Sequence, residues 1–228
     1  MQMRMGLLNK KADWTSERFR AHWREHHAAL ARQLPGLRSY VQNHVTDRMQ
    51  RGFVFSRGPE ELDGFSQLAF EDIEAMRAAL STPIGPRLVK DEQHFIGRLR
   101  IVTVDQHTVV PPPPDGTALK RMSLLRRRPD VTPEAFAREW REVHGPLVSR
   151  MPGILGYRQN LITGRESPKG TPVGHEGLPL DGIVELWFSD AAAIDATFGS
   201  PLGQETMAHA QTFIDEITTY LVETVRVV

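Results

Sequence analysis

An internal repeat is the sequence feature that most limits what this chain can fold into. Residues 15–43 read TSERFRAHWREHHAALARQLPGLRSYVQN, and residues 132–160 read TPEAFAREWREVHGPLVSRMPGILGYRQN. Aligned at a constant offset of 117, the two segments are identical at 13 of 29 positions. Solenoid repeats recur every ~20–50 residues, so an offset of this length indicates a duplicated domain.

Each copy predicts the same order of secondary structure. A threonine followed by an acid in the first turn marks a helix N-terminus at Thr15 and at Thr132. Apolar residues then recur at helical spacing until a Pro-Gly pair ends the helix at 35–36 and 152–153. Extended segments before and after this helix, a third strand, a helix interrupted near a proline, and a last strand complete the copy. The order β-α-β-β-α-β predicts an α+β, ferredoxin-like domain with both helices on one face of an antiparallel sheet.

The repeat divides the chain into two domains and a linker. We expect the domains at residues 1–104 and 119–228, joined by a proline-rich linker at 105–118 in extended geometry. Each sheet has one face without helices. Because large exposed apolar faces are unfavourable, the two bare faces should pack on each other.

Composition removes several classes of function. The formal net charge is zero, which disfavours a nucleic-acid partner. The chain has no cysteine, so thiol chemistry and disulfides are excluded. No apolar run approaches the ~18 residues of a membrane span, and the first residues lack a signal-peptide pattern. We therefore expect a cytoplasmic protein with no membrane partner.

The motif FxxxWxxxHxxL, followed by Pro-Gly and a strand with tyrosine, and then by DGxxELWF, resembles the EthD family of the dimeric α+β barrel superfamily. The second copy is the closer match, with VHGPL at 143–147 and DGIVELWF at 181–188. The resemblance implies that the two sheets form an intramolecular dimeric α+β barrel, a pseudo-dimer within one chain. It also implies a ligand cavity in each half, between helices and sheet. A further homodimer is left open.

A histidine and a tyrosine separated by 13 residues are the candidate catalytic groups in each copy. They are His144 with Tyr157, the better-matched pair, and His27 with Tyr40, a second or decayed site. Within the superfamily they resemble the cavity pair of methylmuconolactone isomerases, whose third-strand cysteine is replaced here by leucine. The resemblance implies a cofactor-independent isomerase or lyase acting on a small aromatic, lactone or polyketide-like metabolite. Histidine suits proton transfer near neutral pH, and tyrosine can stabilise an oxyanion.

Other side chains are expected to line the cavities and to contact a ligand directly. These candidates are Trp23, Gln42, Trp140, Gln159 and Trp187. Gln159 and Asn160 are neighbours on a strand, as are their counterparts in the first copy, so only one of each pair can face a given cavity. The two histidines could instead be buried groups that join helix to sheet, and the tyrosines ordinary packing residues.

Several other hypotheses remain open or are disfavoured. The protein could bind a small hydrophobic ligand without converting it, and haem binding through the helical histidine is a weaker alternative. We expect no cofactor and no metal, since His22 and His26 are spaced for chelation but no third ligand is indicated. The basic segment 46–58 is either a binding site for a substrate carboxylate or an exposed loop. The segment 164–182 is either a lid over the second cavity or a solvated turn.

Overall fold

The computed structural model describes residues 1–228 and contains eight strands that close one antiparallel barrel. Around the barrel the strands lie in the order β1-β3-β2-β8-β5-β7-β6-β4. The strands are β1 (Gln2–Lys10), β2 (Ser39–Asp47), β3 (Gly64–Phe70), β4 (Ile96–Val110), β5 (Leu119–Arg127), β6 (Gly156–Glu166), β7 (Gly182–Phe188) and β8 (Ile214–Arg226). The predicted α+β pseudo-dimeric barrel is confirmed.

The helices lie outside the barrel, two regions per half. They are α1 (Ser16–His22), α2 (Ala28–Ala31), α3 (Ile73–Leu80), α4 (Ile84–Phe95), α5 (Pro133–Arg138), α6 (Gly145–Ser149), α7 (Ala191–Gly199) and α8 (Pro201–Ala210). Both predicted helix starts are present, since the hydroxyls of Thr15 and Thr132 each accept a backbone N–H at 3.2 Å. No helix is long and apolar enough to cross a membrane.

The last strand of each half joins the two sheets. Strand β4 pairs with β1 of its own half and with β6 of the other, and β8 pairs likewise with β5 and β2. A sheet edge presents unpaired backbone groups, and closure satisfies them all. The interior is filled by 17 buried apolar residues from both halves, among them Met5, Phe65, Met122 and Tyr220. The two predicted bare faces therefore form one shared core.

The linker is shorter than the sequence predicts. Strand β4 continues through Val110 and pairs with β6 along residues assigned to the linker, such as Gln106 opposite Asn160. The pairing stops where Pro111 begins the proline run, because proline has no N–H to donate to the sheet. Only residues 111–118 connect the halves without regular structure.

Each predicted long helix contains a π-helical turn that the sequence pattern does not indicate. These turns are Trp23–His27, between α1 and α2, and Glu139–His144, between α5 and α6. In both, a glutamine from the next strand donates to the tryptophan carbonyl at 2.7 Å, Gln42 in the first half and Gln159 in the second. A side-chain donor on that carbonyl favours the wider turn. Such turns are frequent at functional sites.

The tryptophan of each π-helical turn lies flat against a strand glycine. A Cβ atom on Gly182 would come within 2.5 Å of the Trp140 ring, and Gly64 is equally close to Trp23. Both indoles are fully buried. This close approach fixes the helix against the sheet and therefore fixes the histidine that ends each turn.

Candidate functional site

In the second half, His144 and Tyr157 line the same cavity between helices and sheet. The cavity has a volume of about 40 Å³, and Trp140 forms part of its wall. A volume of this size holds a few water molecules, whereas ligand pockets usually measure about 300–1,000 Å³. The sequence-predicted pair is therefore brought together, in a cavity that is closed to larger molecules.

His144 has an apolar environment and one polar neighbour. Its Nδ1 atom lies 3.3 Å from Nδ1 of His209, on α8, and the two rings stack. Burial lowers the pKa of His144 to about 3, and the charge of His209 acts in the same direction. The imidazole is therefore neutral at neutral pH.

Tyr157 is held in place by Gln159. The Gln159 amide, which also bonds the Trp140 carbonyl, donates to the Tyr157 hydroxyl at 2.8 Å. Gln159 is fully buried. In this structure it orients the tyrosine and supports the π-helical turn, so its predicted direct contact with a ligand is replaced by a positioning contact.

In the first half, the His27 imidazole is oriented by a carboxylate. Its Nδ1 atom lies 2.8 Å from Oδ2 of Asp91, on α4, and both groups are buried. Burial alone would raise the pKa of Asp91, but hydrogen bonds from His27 and His22 outweigh it and hold the pKa below its ordinary value. Asp91 is therefore an anion, and Nε2 of His27 is the ring nitrogen left for a ligand.

Tyr40 lines the same cavity of about 40 Å³ as His27. Its hydroxyl oxygen accepts from Nε1 of Trp23 at 2.9 Å and from the Gln42 amide at 3.1 Å. Burial raises the pKa of the phenol above its ordinary value, so it stays protonated. With both acceptor positions of the oxygen used, its own proton is available to a third group in the cavity.

Each cavity is covered by a loop from the opposite half. Residues 48–63 leave the first half and cross to the second, where Phe53 enters the wall of the His144 cavity. The Phe53 ring meets Phe198 edge-on at 4.9 Å, and the Arg121 guanidinium lies 4.5 Å from its centre. Backbone bonds such as Ile217 N–H to the Ser56 carbonyl, at 2.9 Å, hold the loop there.

The segment 164–182 crosses in the opposite direction. Lys169 lines the His27 cavity, forms an ion pair with Glu92 and bonds the Leu99 carbonyl through its backbone N–H at 2.9 Å. Of the two alternatives for this segment, a lid over the second cavity and a solvated turn, the lid is not what the structure shows, because the loop follows β6 across the junction with β4 and reaches the first cavity. The first cavity is consequently the more polar of the two, with Arg4 and Glu92 also in its lining.

The arginines of the first loop are satisfied within the loop and its neighbours. Arg48 bonds Asp63 at 2.8 Å, Arg51 bonds Asp47 at 2.5 Å, and Arg57 reaches Glu61 at 3.3 Å. All three guanidinium groups thus have internal carboxylate partners. This arrangement argues against a substrate carboxylate at this segment.

Trp187 lies on the opposite face of β7 from the predicted cavity. It borders a recess of about 530 Å³ at one mouth of the barrel, beneath the linker prolines. Lys120 and Arg158 place their cationic groups 5.0 and 5.7 Å from the Trp187 ring. Below the recess, the Lys120 ammonium pairs with the fully buried carboxylate of Glu185 at 2.6 Å. Trp187, a ligand-contact candidate from the sequence, therefore lies at this recess and not in either cavity between helices and sheet.

Asp91 and His209 are site residues that sequence reasoning missed. They occupy equivalent positions of the two copies, at an offset of 118, and each contacts the helical histidine of its half. Because their identities differ, the identity alignment of the copies did not single them out. Applying the offset to polar residues of the second helices would have found them.

The comparisons with known proteins agree with this architecture. The EthD domain model matches residues 11–98 and 128–217. The fold is similar to that of an anthrone oxidase-like protein (10% identity, 99% of this chain and 93% of that chain, TM-score 0.65). It is also similar to a dye-decolorizing peroxidase from Bacteroides thetaiotaomicron (7% identity, 97% and 92%, TM-score 0.53).

A single-domain relative matches one half only. An EthD family protein from Bacillus halodurans is 19% identical, with 46% of this chain and 95% of that chain covered and a TM-score of 0.37. No curated protein matches the sequence. The two family matches together cover more than half of the residues, and they lie one in each half of the barrel. The chain therefore belongs to the EthD family, as two EthD domains in tandem.

Proposed function

We propose that this EthD protein catalyses cofactor-independent proton transfer, of the isomerase or lyase kind, on a small aromatic, lactone or polyketide-like molecule. The observation that carries the proposal is the geometry around His27. Asp91 holds Nδ1 at 2.8 Å, while the same imidazole shares a cavity with the Tyr40 hydroxyl. A base supported by a carboxylate and a phenol donor suffice to remove a proton next to a carbonyl group.

The roles follow from the available atoms. Nε2 of His27 takes the proton from the carbon α to the substrate carbonyl, and the C–H electron pair forms the C=C bond of the enolate. The carbonyl π pair moves to oxygen, where the Tyr40 proton donates a hydrogen bond. Asp91 stabilises the imidazolium that forms. When the substrate is β,γ-unsaturated, as in α-angelica lactone, the anion is a dienolate, and return of the proton from His27 to its γ carbon completes an isomerisation with no net loss of atoms.

The geometry favours the first half for this chemistry, although the family motif is closer in the second. A general base works best when its pKa lies near the working pH. Burial lowers the pKa of His144 to about 3, and its neighbour is another histidine. His144 with Tyr157 is therefore the weaker proton acceptor, suited to binding a carbonyl group through neutral donors.

A substrate has to displace the crossing loop to enter the first cavity. The closed cavity of about 40 Å³ is far below ligand size. Lys169 and Arg4 lie at its edge and are paired with Glu92 and Glu166. A substrate carrying an anionic oxygen could exchange with these carboxylates, which favours small lactones and phenolic or carboxylated aromatics.

The experiment measures proton transfer directly. Deuterium incorporation from D₂O into α-angelica lactone and into anthrone is followed by proton NMR with and without the protein. We expect His27→Gln to lower the rate by about 10²–10⁴-fold and Tyr40→Phe by about 10²–10³-fold. His107→Gln, a change at an exposed histidine of β4, is the matched control.

Two results would contradict the proposal. One is protein-catalysed exchange that survives His27→Gln and Tyr40→Phe together. The other is a His144→Gln variant that loses exchange while His27→Gln retains it, which would move the chemistry to the second half. Circular dichroism of each variant excludes unfolding as the cause.

A second candidate function, ligand binding without conversion, is favoured by the barrel-mouth recess. Its volume of about 530 Å³ falls in the range of small-molecule sites. The lining is polar, with Trp187 as a flat face and Arg158 as a cation without a carboxylate partner within 4 Å. A planar carboxylate fits this chemistry better than the purely hydrophobic ligand expected from the sequence.

Benzoate titrated by isothermal calorimetry tests this candidate. We expect Trp187→Leu and Arg158→Gln each to weaken binding about tenfold or more, whereas Trp14→Phe, at a buried tryptophan of the first half, should not. Equal binding by all variants would contradict a site in the recess. Loss of proton transfer in His27→Gln with unchanged benzoate binding would separate the two functions.

The haem alternative is not supported by the space beside the helical histidines. The cavities that His27 and His144 line each measure about 40 Å³, enough for a few waters but not for a porphyrin. The proposed proton transfer therefore does not involve haem. A Soret band after reconstitution that disappears in both histidine variants would overturn this conclusion.

A further inference from the structure

We propose that His22, His26 and Asp91 form a binding site for Zn²⁺ or a divalent ion of the same borderline class. The three residues lie on the outer side of the first half, two on the first helix and one on α4. Their potential ligand atoms all lie within 4.8 Å of one another. This site shares Asp91 with the proton-transfer proposal but does not depend on it, and its test reads metal binding alone.

The sequence spacing brings the two imidazoles to one point. Residues four apart on a helix lie on the same face, and the Nε2 atoms of His22 and His26 approach the same Asp91 oxygen, Oδ1, at 2.8 and 3.5 Å. In a tetrahedral zinc site with bonds of about 2.0–2.2 Å, ligand atoms lie roughly 3.3 Å apart. Conversion of this hydrogen-bonded cluster into a chelating one therefore needs shifts of about 0.5 Å or less between each imidazole and Asp91, and of at most ~1.5 Å between the two imidazoles, since all ligand atoms lie within 4.8 Å.

Asp91 has the features of a metal ligand rather than of a surface acid. It is 8% exposed, and its second oxygen, Oδ2, is held by His27 at 2.8 Å. Ligating carboxylates are commonly fixed by such outer hydrogen bonds. A buried carboxylate facing two imidazoles supplies one negative charge and two nitrogen donors, a set that suits zinc better than magnesium or calcium.

The site also has an entrance and an open coordination position. His26 is mostly exposed, with 63% of its side chain accessible, whereas His22 is 17% accessible. An ion can therefore reach the three ligands from solvent and keep water as its fourth ligand. The rings of His94 and Trp14 surround the inner side of His22.

The second half provides an internal comparison. The positions equivalent to His22, His26 and Asp91 are Glu139, Val143 and His209. One of the three cannot ligate a metal, so the proposal predicts one ion per chain. The asymmetry also means that the site arose or was lost after duplication, in a region where the two copies otherwise share their fold.

Protein without a histidine tag, stripped with chelator, is titrated with Zn²⁺ by calorimetry and with Co²⁺ by visible absorption. We expect a stoichiometry near one and intense Co²⁺ bands between roughly 500 and 700 nm, typical of tetrahedral coordination. His26→Ala should weaken Zn²⁺ binding at least tenfold, because loss of an outer-shell partner alone costs about 10–100-fold. His107→Ala, at an exposed histidine, should leave the affinity unchanged.

Because His26 is exposed, His26→Ala is not expected to disturb folding, which makes it the deciding variant. The buried variant Asp91→Asn is titrated in parallel, and circular dichroism checks that it is folded. A stoichiometry of zero or two, or equal Zn²⁺ affinity in wild type and His26→Ala, would overturn the proposal. Loss of Co²⁺ bands in His26→Ala with retention in His107→Ala would establish it.

Discussion

Removing one member of the buried Lys120–Glu185 pair should destabilise the barrel strongly. Lys120 is 5% exposed and Glu185 is fully buried, and their charged atoms lie 2.6 Å apart. Breaking such a pair leaves an uncompensated buried charge and typically costs about 3–5 kcal/mol. In Lys120→Met the Glu185 carboxylate keeps amide donors from Gln67 and Asn160, each at 2.9 Å. We therefore expect the lower end of the range, about 3 kcal/mol.

The reciprocal variant Glu185→Gln leaves the Lys120 ammonium with Oδ1 of the Asn43 side chain, at 2.9 Å, as an acceptor. A similar loss of unfolding free energy is expected. The double variant removes both charges at once, so it should cost about 1–3 kcal/mol less than the sum of the single changes. Burial alone would raise the pKa of Glu185. The neighbouring Lys120 charge outweighs burial and holds the pKa of Glu185 below its ordinary value.

Urea unfolding followed by far-UV circular dichroism measures these differences, with the slope m expected to stay constant. Arg38→Met, which breaks an exposed pair with Glu71, is the control and should leave the midpoint nearly unchanged. Additive single costs, or losses below about 1 kcal/mol, would refute the reasoning. Such a result would mean that water entering through the recess solvates the remaining charge.

Three further predictions concern the helices and the strand residue that packs against one of them. Burial favours the neutral form of His144 in the folded protein, with a pKa of about 3 against an ordinary value of 6.5. Its contribution to folding stability is therefore full above pH 6.5 and is lost as the pH falls toward 3. His144→Gln should flatten the decline of Tm over this pH range, and an unchanged decline would contradict this expectation. Gly182→Ala should displace Trp140 and cost about 1–3 kcal/mol by thermal unfolding, whereas an unaltered Tm would show that the indole moves freely. Thr132→Ala should cost about 1 kcal/mol through the lost cap, measured in urea, and Ser149→Ala should not.

The elements that follow local chemistry were predictable from the sequence. The offset of 117, the threonine caps and the Pro-Gly stops located the helices, and the repeated order of elements gave the ferredoxin-like domains. Packing of the two bare sheet faces on each other followed from the need to cover them, whereas the closed barrel was implied by the resemblance to the EthD family. The boundary between β4 and the linker, predicted before Asp105, lies after Val110, because pairing with the distant strand β6 continues β4.

The wrong placement of Trp187 has a simple physical cause. Successive strand residues face opposite sides, and Leu186 lines the helix-side cavity, so Trp187 must face the barrel. By contrast, the π-helical turns depend on a bond from Gln159 to a carbonyl 19 residues earlier, which no local pattern encodes.

The crossed loops have a consequence for how the two sites can change over time. In a symmetric dimer of identical single domains, a substitution in one loop alters both sites at once, because every site is covered by a copy of the same loop. In this chain the loop carrying Phe53 reaches only the second cavity, and the loop carrying Lys169 reaches only the first. Joining the two domains in one chain therefore lets each site change independently. A substitution can alter the polarity of one cavity while the loop over the other cavity stays the same.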